Sequence, residues 1–173
     1  FAAVGFVRAA AVTPALVLAD PAANGARLSE AVRTLAADAV SLVVFPELAL
    51  TGYSCEDLFF SSSLQSACGA ALAAVAAATA DLRIVAVVGA PWVTGDGRLL
   101  NAAVVLAGGR ICGVVPKTHQ PNYGEFYERR WFTSGAAVDE SVDDPRLGRF
   151  RVRRDQLFRI GPVRFGIELC EDL

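Results

Sequence analysis

The sequence predicts an α/β layer sandwich in which helices flank a mixed β-sheet. Three observations lead to this fold class. Strand-like segments alternate with segments of helical period in the first half of the chain, and a glycine-containing hairpin follows them. Of the 173 residues, 54% are hydrophobic and 20% are charged, which is typical of one compact core and too apolar for a disordered chain.

The first half of the chain reads as strand, helix, strand, helix, strand. Apolar runs at residues 5–12 and 42–45 predict strands, and residues 84–88 predict a buried strand. The strand-like character of the first run extends back to residue 1. Asp20 and Pro21 predict the N-cap and first turn of a helix. Its apolar stripe is Leu28, Val32, Leu35 and Ala39. The serines at 61–63 predict the start of a second helix, with one face made of Leu64, Cys68, Ala71, Leu72 and Val75.

The second half begins with a hairpin and continues into a long loop. Residues 101–106 and 111–115 flank a turn that contains two glycines. Residues 116–144 are polar and aromatic, and loops of that length are often functional. Phe150 and Val152 alternate with arginines and predict an exposed strand, and residues 163–169 predict a closing strand. We expect residues 1–173 to form one partial domain, with its C-terminal part lying beyond this chain.

Composition and charge exclude several classes of protein. A net charge of −2 and a pI near 5.4 provide no cationic surface for nucleic acid or anionic lipid. No apolar run reaches the ~20 residues of a membrane span, and no secretion signal is present, so we expect a cytoplasmic protein without nucleic-acid or membrane partners. The four cysteines form no Cys-x-x-Cys pair, so we expect no metal site.

Three predicted strands are followed by side chains that are useful in catalysis. Glu47 follows the second strand, Lys117 follows the hairpin, and Cys170 follows the closing strand. Lys117 is the only lysine among 16 basic residues. Strand ends open into the ligand crevice of α/β sheets, so these three can meet. A thiol needs a base to become a nucleophile, and an ammonium stabilises the resulting oxyanion. The set therefore predicts acyl transfer through a thioester.

The motifs around these residues resemble the nitrilase, or carbon–nitrogen hydrolase, superfamily. They are Phe-Pro-Glu-Leu with Leu-Thr-Gly-Tyr at 45–53, Pro-Lys with a following aromatic segment at 116–132, and Gly-Ile-Glu-Leu-Cys-Glu-Asp at 166–172. The resemblance implies an αββα sandwich and a catalytic triad of Glu47, Lys117 and Cys170. It also implies that Glu125 orients the substrate and supports Lys117. The backbone N–H of Glu171 would share the oxyanion with Lys117.

Within that superfamily, residues 52–58 and 125–132 most resemble the glutaminase domain of glutamine-dependent NAD synthetases. This resemblance implies that Tyr53 and Tyr123 line a glutamine pocket and that Glu171 meets the substrate's α-amino group. It implies no cofactor for this domain. Ammonia would pass to a C-terminal synthetase domain that uses ATP and Mg²⁺, in a protein that we expect to be a homo-oligomer.

Two other functions remain open on the sequence alone. The first is a stand-alone amidase, nitrilase or carbamoylase of the same superfamily that acts on another small amide. The second is a catalytically inactive homologue that serves as a binding module. The presence of Glu47, Lys117 and Cys170 together argues against the second.

Overall fold

A seven-stranded mixed sheet is the centre of the fold. A computed structural model describes residues 5–173, so the expected strand character at residue 1 lies outside the described residues. The strands of the main sheet are β1 (Ala9–Ala11), β2 (Leu42–Val44), β3 (Val85–Val93), β4 (Leu99–Ala107), β5 (Arg110–Pro116), β6 (Asp139–Asp144) and β7 (Gly148–Arg153). They lie in the order β1-β2-β3-β4-β5-β7-β6, with parallel and antiparallel neighbours.

Two long helices cover one face of this sheet. Helix α1 (Pro21–Ala37) begins as predicted, because the Asp20 side chain accepts a hydrogen bond from the backbone N–H of Ala23 and proline occupies the first turn. Helix α2 is Ser62–Ala78. The predicted apolar face of α2 is buried in full, whereas the stripe of α1 ends early, because Ala39 lies beyond the helix and is exposed.

The opposite face of the sheet is covered by a small second β layer. Strands β8 (Phe158–Ile160) and β9 (Val163–Phe165) form a separate two-stranded antiparallel sheet. Phe158 and Phe165 pack against buried residues of the main sheet, among them Val87 and Val115. The mixed sheet therefore has helices on one side and β structure on the other, as the predicted sandwich requires.

The hairpin brings two chemically important positions to one edge of the sheet. Strands β3, β4 and β5 are successive antiparallel neighbours, and β2 is parallel to β3. The C-terminal ends of β2 and β5 and the start of β4 consequently lie at the same edge. Gly108 and Gly109 form the turn at the other edge with φ of 57° and 79°, a conformation that glycine adopts without strain.

Two expectations about the second half were wrong. The segment 116–144 is not one loop, because it contains helix α3 (Glu128–Trp131), a 3₁₀ turn at Gly135–Ala137 and strand β6. Strand β6 has the sequence Asp-Glu-Ser-Val-Asp-Asp, which is too acidic to be recognised as a strand. The closing strand is also shorter than expected, since β9 ends at Phe165 and residues 166–169 are not in a strand.

Candidate active site

The turn after β2 holds Glu47 directly against the middle of β3. Leu48 has a positive φ of 52°, and its backbone N–H lies so close to Gly89 that a Cβ at position 89 would be 2.4 Å from it. The same Cβ would be 2.3 Å from the carbonyl oxygen of Pro46. A glycine is therefore required in β3 at this point, because any side chain would displace the turn that positions Glu47.

Lys117 is completely buried and lies between two carboxylates. Its Nζ donates to Glu47 Oε1 and to Glu128 Oε1, both at 2.7 Å. Glu128, on α3, is 1% exposed, and the side chain of Glu47 is 21% exposed. The one lysine of the chain therefore forms a buried ion pair in which both partners are within hydrogen-bonding distance.

The electrostatics of this cluster keep the lysine charged. Burial lowers the pKa of Lys117, but the hydrogen bonds and charges of Glu128 and Glu47 outweigh it, so the pKa lies above its ordinary value. With both carboxylates ionised, one cation faces two anions and the cluster carries a net charge of −1. A proton that arrives at Glu47 would therefore neutralise the cluster.

Asn101 connects the same two carboxylates from β4. It is completely buried, and its Nδ2 donates to Glu47 Oε1 at 2.5 Å and to Glu128 Oε2 at 3.3 Å. Its backbone oxygen accepts the N–H of Lys117 at 2.8 Å. Asn101 thus contacts both carboxylates through its side chain and the backbone of Lys117 through its own backbone.

Tyr53 completes the contacts of Glu128. Its hydroxyl donates to Glu128 Oε1 at 2.6 Å. Burial raises the pKa of Tyr53, and the hydrogen bond and charge of Glu128 raise it further, so the phenol stays a neutral donor at physiological pH. Glu128 consequently accepts hydrogen bonds from Lys117, Tyr53 and Asn101, which is why a carboxylate is stable at this buried position.

Cys170 and Glu47 line the same open pocket, which has a volume of about 150 Å³. Cys170 is exposed, a free thiol, and the first residue of a 3₁₀ turn at Cys170–Asp172. Its φ of 50° is a conformation that residues with a side chain rarely adopt, and such positions cluster at functional sites. The wall of the pocket also includes Val44, Phe45, Pro46, Val87, Gly89, Ala103 and Leu169.

Asp172 ties the turn that holds Cys170 to the segment after Lys117. Its carboxylate accepts the backbone N–H groups of Thr118 and His119 at 3.0 and 2.8 Å. The ring Nδ1 of His119 lies 3.3 Å from the same carboxylate. These hydrogen bonds therefore connect the turn that carries Cys170 to the segment that directly follows Lys117.

The predicted substrate residues form the rim of the site. Tyr123 is exposed, and its hydroxyl donates to Glu171 Oε1 at 2.8 Å. Phe126 contacts the rings of both Tyr53 and Tyr123 edge to face, with centroids 6.4 and 5.8 Å apart. The structure thus brings Tyr53, Tyr123 and Glu171 to the same region as Glu47 and Cys170. Glu125 is exposed near Tyr123, where its charge acts on the phenol.

One expectation about the site needs correction. Glu125 was expected to support Lys117, but the carboxylate that contacts Lys117 is Glu128. Both glutamates belong to the same aromatic segment, three residues apart. Helix α3 starts at Glu128 and directs that side chain inward, while Glu125 precedes the helix on the surface.

Sequence reasoning also missed Asn101 and Asp172 as parts of the site. Asn101 had a usable signal, since it is the one polar residue in the apolar run of β4 and a buried polar group needs partners. Asp172 was within a recognised motif, but its contact with residues 118 and 119 joins positions more than fifty residues apart. That kind of contact has no local signature.

Residues 5–173 contain neither a cluster suited to a metal ion nor a helix suited to a membrane. In this part of the chain no group of three or more His, Cys, Asp or Glu side chains could hold a metal ion. None of the helices described is both long enough and apolar enough to cross a membrane.

The fold and this set of residues define a class of enzyme domain. Residues 8–173 match the carbon–nitrogen hydrolase family, and the chain belongs to that family. The mixed sheet and its layers are accordingly those of a nitrilase-type fold.

Within this family, the chain is similar to glutamine-dependent NAD(+) synthetases. It is 41% identical over 174 aligned residues to that of Mycobacterium bovis, which covers 98% of this chain and 25% of the relative. It is 32% identical over 156 residues to that of Thermotoga maritima, with 90% and 24% covered. The chain therefore spans about a quarter of the length of these relatives, and the resemblance expected from its motifs is confirmed.

Solved structures agree with this placement. A glutamine-dependent NAD(+) synthetase from Cytophaga hutchinsonii superposes with a TM-score of 0.86 at 25% identity, over 96% of this chain and 28% of that one. The enzyme from Acinetobacter baumannii gives a TM-score of 0.73 at 28% identity, over 89% and 26%. The NitN amidase shares the fold, with a TM-score of 0.63 at 19% identity over 81% of this chain and 54% of that one.

Proposed function

We propose that this chain hydrolyses the side-chain amide of glutamine and supplies the ammonia to a synthetase domain that lies beyond it. The observation that carries the proposal is the buried Lys117, held between Glu128 and Glu47, with Glu47 lining the same pocket as Cys170. Glutamine as the substrate is supported by the similarity to glutamine-dependent NAD(+) synthetases over 98% of the chain.

The first step is attack of the Cys170 sulfur on the amide carbon. The thiol proton passes to the carboxylate of Glu47, which lines the same pocket. The C=O electron pair moves onto oxygen as the S–C bond forms. Two of the three Nζ protons of Lys117 are held by Glu47 and Glu128, so the third is left for this oxyanion. The backbone N–H of Glu171 is the second donor.

The second step releases ammonia. The C–N bond breaks as the oxyanion collapses, and Glu47 returns its proton to the departing nitrogen. The products of this step are a Cys170 thioester and one molecule of ammonia. In the third step Glu47 takes a proton from water and the resulting hydroxide adds to the thioester carbon. The C–S bond breaks as this adduct collapses, and the proton held by Glu47 restores the Cys170 thiol. The sum is amide plus water giving carboxylic acid plus ammonia.

The residues at the rim would select the substrate. A glutamine in the pocket would present its α-amino group to Glu171, whose carboxylate is bound by Tyr123 when the site is free. Tyr53 would form a wall through its ring, because its hydroxyl is engaged by Glu128. Glu125 would contribute negative charge near this rim, where its charge acts on Tyr123.

The ammonia would be consumed in a second domain of the same polypeptide. By analogy with the similar synthetases, that domain would amidate the deamido precursor of NAD with ATP and Mg²⁺, within a homo-oligomer in the cytoplasm. The steps assigned to Glu47, Lys117 and Cys170 use neither ATP nor Mg²⁺.

The proposal is tested with Cys170→Ala in the full-length protein. We expect glutamine hydrolysis and glutamine-dependent NAD synthesis to be lost, while synthesis from added ammonia is retained, because only the amide step uses the thiol. Cys112→Ala is the matched control, since Cys112 is also an exposed free thiol but lies on β5 outside the pocket. Undiminished glutamine hydrolysis in Cys170→Ala would refute the proposal.

A further inference from the structure

Asn101 is the polar side chain of an otherwise apolar strand. Strand β4 reads Leu-Leu-Asn-Ala-Ala-Val-Val-Leu-Ala, and Asn101 is completely buried within it. Burying an amide costs free energy unless hydrogen bonds compensate. Its Oδ1 has no hydrogen-bond partner among the described residues, so all of that compensation comes from Nδ2.

The orientation of this amide is determined by its neighbours. Nδ2 faces Oε1 of Glu47 and Oε2 of Glu128, which are both acceptors when ionised. A flipped amide would place Oδ1 against these two oxygens, and acceptor would face acceptor. The N–H groups of Asn101 therefore point at the carboxylates, and the unpaired Oδ1 points away from them.

Asn101 and Lys117 donate to the same oxygen of Glu47. Oε1 accepts Nδ2 of Asn101 at 2.5 Å and Nζ of Lys117 at 2.7 Å. Oε2 is the oxygen that remains available for a proton. Lys117 alone would leave the carboxylate free to turn about this contact, because one donor on one oxygen does not fix the carboxylate plane. A second donor on the same oxygen, carried by a central strand, restricts that rotation.

We propose that Asn101 is a positioning residue that anchors Oε1 of Glu47 and so makes Oε2 the oxygen that exchanges protons with Cys170 and with the leaving nitrogen. This inference rests on the proposed amide hydrolysis. It assigns Asn101 no contact with the substrate, since its side chain is buried behind Glu47.

The variant that tests this role is Asn101→Leu in the full-length protein, which keeps the approximate size and removes the donor. We expect kcat for glutamine hydrolysis to fall roughly ten- to hundredfold, a part of the general-base contribution, with little change in KM. The ionised carboxylate loses a charge-assisted hydrogen bond. The acidic limb of the kcat/KM profile should therefore move to higher pH by about one unit.

A second readout needs no substrate. The rate at which iodoacetamide alkylates Cys170, followed against pH by mass spectrometry, should show the same displacement. The groups that face Glu47 are Lys117 from the end of β5 and, in the shared pocket, Cys170 and Glu168. Glu128 from α3 is adjacent through Lys117, and Tyr53 is adjacent through Glu128. Asn101→Leu changes none of these titratable groups. A shift of the acidic limb of the pH profile is therefore caused by loss of the hydrogen bond from Asn101 to Glu47.

Thr79→Val is the control for the loss of a buried hydrogen bond elsewhere. Thr79 is completely buried at the end of α2, where its hydroxyl donates to Ala76 and accepts from the backbone N–H of Gly109. We expect this variant to keep both pH profiles. If Asn101→Leu does not fold, Asn101→Ser replaces it, because the shorter hydroxyl also leaves Glu47 unanchored.

The outcomes separate this inference from the proposed function. A displaced limb in the Asn101 variant but not in Thr79→Val supports the positioning role. Unchanged profiles in a folded Asn101 variant, or an equal displacement in both variants, overturn it. If the proposed function is wrong, the wild-type protein itself will fail to hydrolyse glutamine. The pH profile of Cys170 alkylation would still test the role of Asn101 in that case.

Discussion

Replacing Glu128 with glutamine removes one charge from the buried cluster while keeping its shape. The Oε1 of Glu128 accepts from both Lys117 Nζ at 2.7 Å and the Tyr53 hydroxyl at 2.6 Å. In Glu128→Gln a carbonyl oxygen can occupy that position and accept both hydrogen bonds as a neutral group. The new NH₂ group then meets Nδ2 of Asn101, which now lies 3.3 Å from Oε2, so donor faces donor.

The size of the effect follows from these contacts. A hydrogen bond to a charged group contributes about 1.5–3 kcal/mol and a neutral one about 0.5–1.5, so the Tyr53 bond loses roughly 1–1.5 kcal/mol. The Lys117 bond keeps its charged donor but loses the opposite charge of the carboxylate, for which we expect a similar loss. The two weakened bonds together give about 2–3 kcal/mol of lost stability. This is somewhat below the ~3–5 kcal/mol for removing one partner of a buried ion pair outright, because Lys117 still retains Glu47.

Hydrogen exchange measures this loss within the full-length protein. Peptides from β5 should exchange roughly 30- to 150-fold faster in Glu128→Gln, which is the conversion of about 2–3 kcal/mol. Glu125→Gln is the matched control, three residues earlier and exposed, and its β5 peptides should exchange at the wild-type rate. Equal protection in both variants would refute the assignment of Glu128 as the partner of Lys117.

Two further substitutions test the geometry around the same cluster. Lys117→Arg should lower kcat for glutamine hydrolysis by about 10²–10³, because a planar guanidinium cannot replace a compact buried ammonium; turnover near that of the wild type would contradict its oxyanion role. Gly89→Ala should abolish activity, since its Cβ would lie 2.3 Å from the carbonyl oxygen of Pro46. The control Gly69→Ala on α2 meets open space and should stabilise the helix by ~0.5–1 kcal/mol. Urea unfolding and activity assays check both variants, and an active Gly89→Ala would contradict the requirement for glycine in β3.

Local signals explain what could be predicted of the fold. Asp20 with Pro21 marks the start of α1, and the two glycines at 108–109 mark the hairpin, because each signal acts within a few residues. Strand β6 was missed because its strand state depends on pairing with β7 from Asp139 to Asp144, and its own composition is acidic. The length of β9 likewise depends on its pairing with β8, and not on its apolar character.

Some residues of the site could likewise be predicted from the sequence, and others depend on tertiary packing. Glu47 and Lys117 could be expected to meet, because the C-terminal ends of parallel strands share one edge of a sheet. The choice between Glu125 and Glu128 could not be made in this way, since it depends on where a four-residue helix begins. Asn101 was accessible in principle as a polar residue in an apolar strand, but its two partners are set by tertiary packing.

The thioester on Cys170 is the most direct test of the account. The full-length protein is mixed with glutamine, quenched in acid within milliseconds to seconds, and digested for mass spectrometry. We expect a glutamyl adduct on the peptide that contains Cys170 and no adduct on the exposed Cys112, which serves as an internal control. Steady hydrolysis of glutamine without any adduct on Cys170, or with the same yield of ammonia from Cys170→Ala, would contradict nucleophilic catalysis by this thiol.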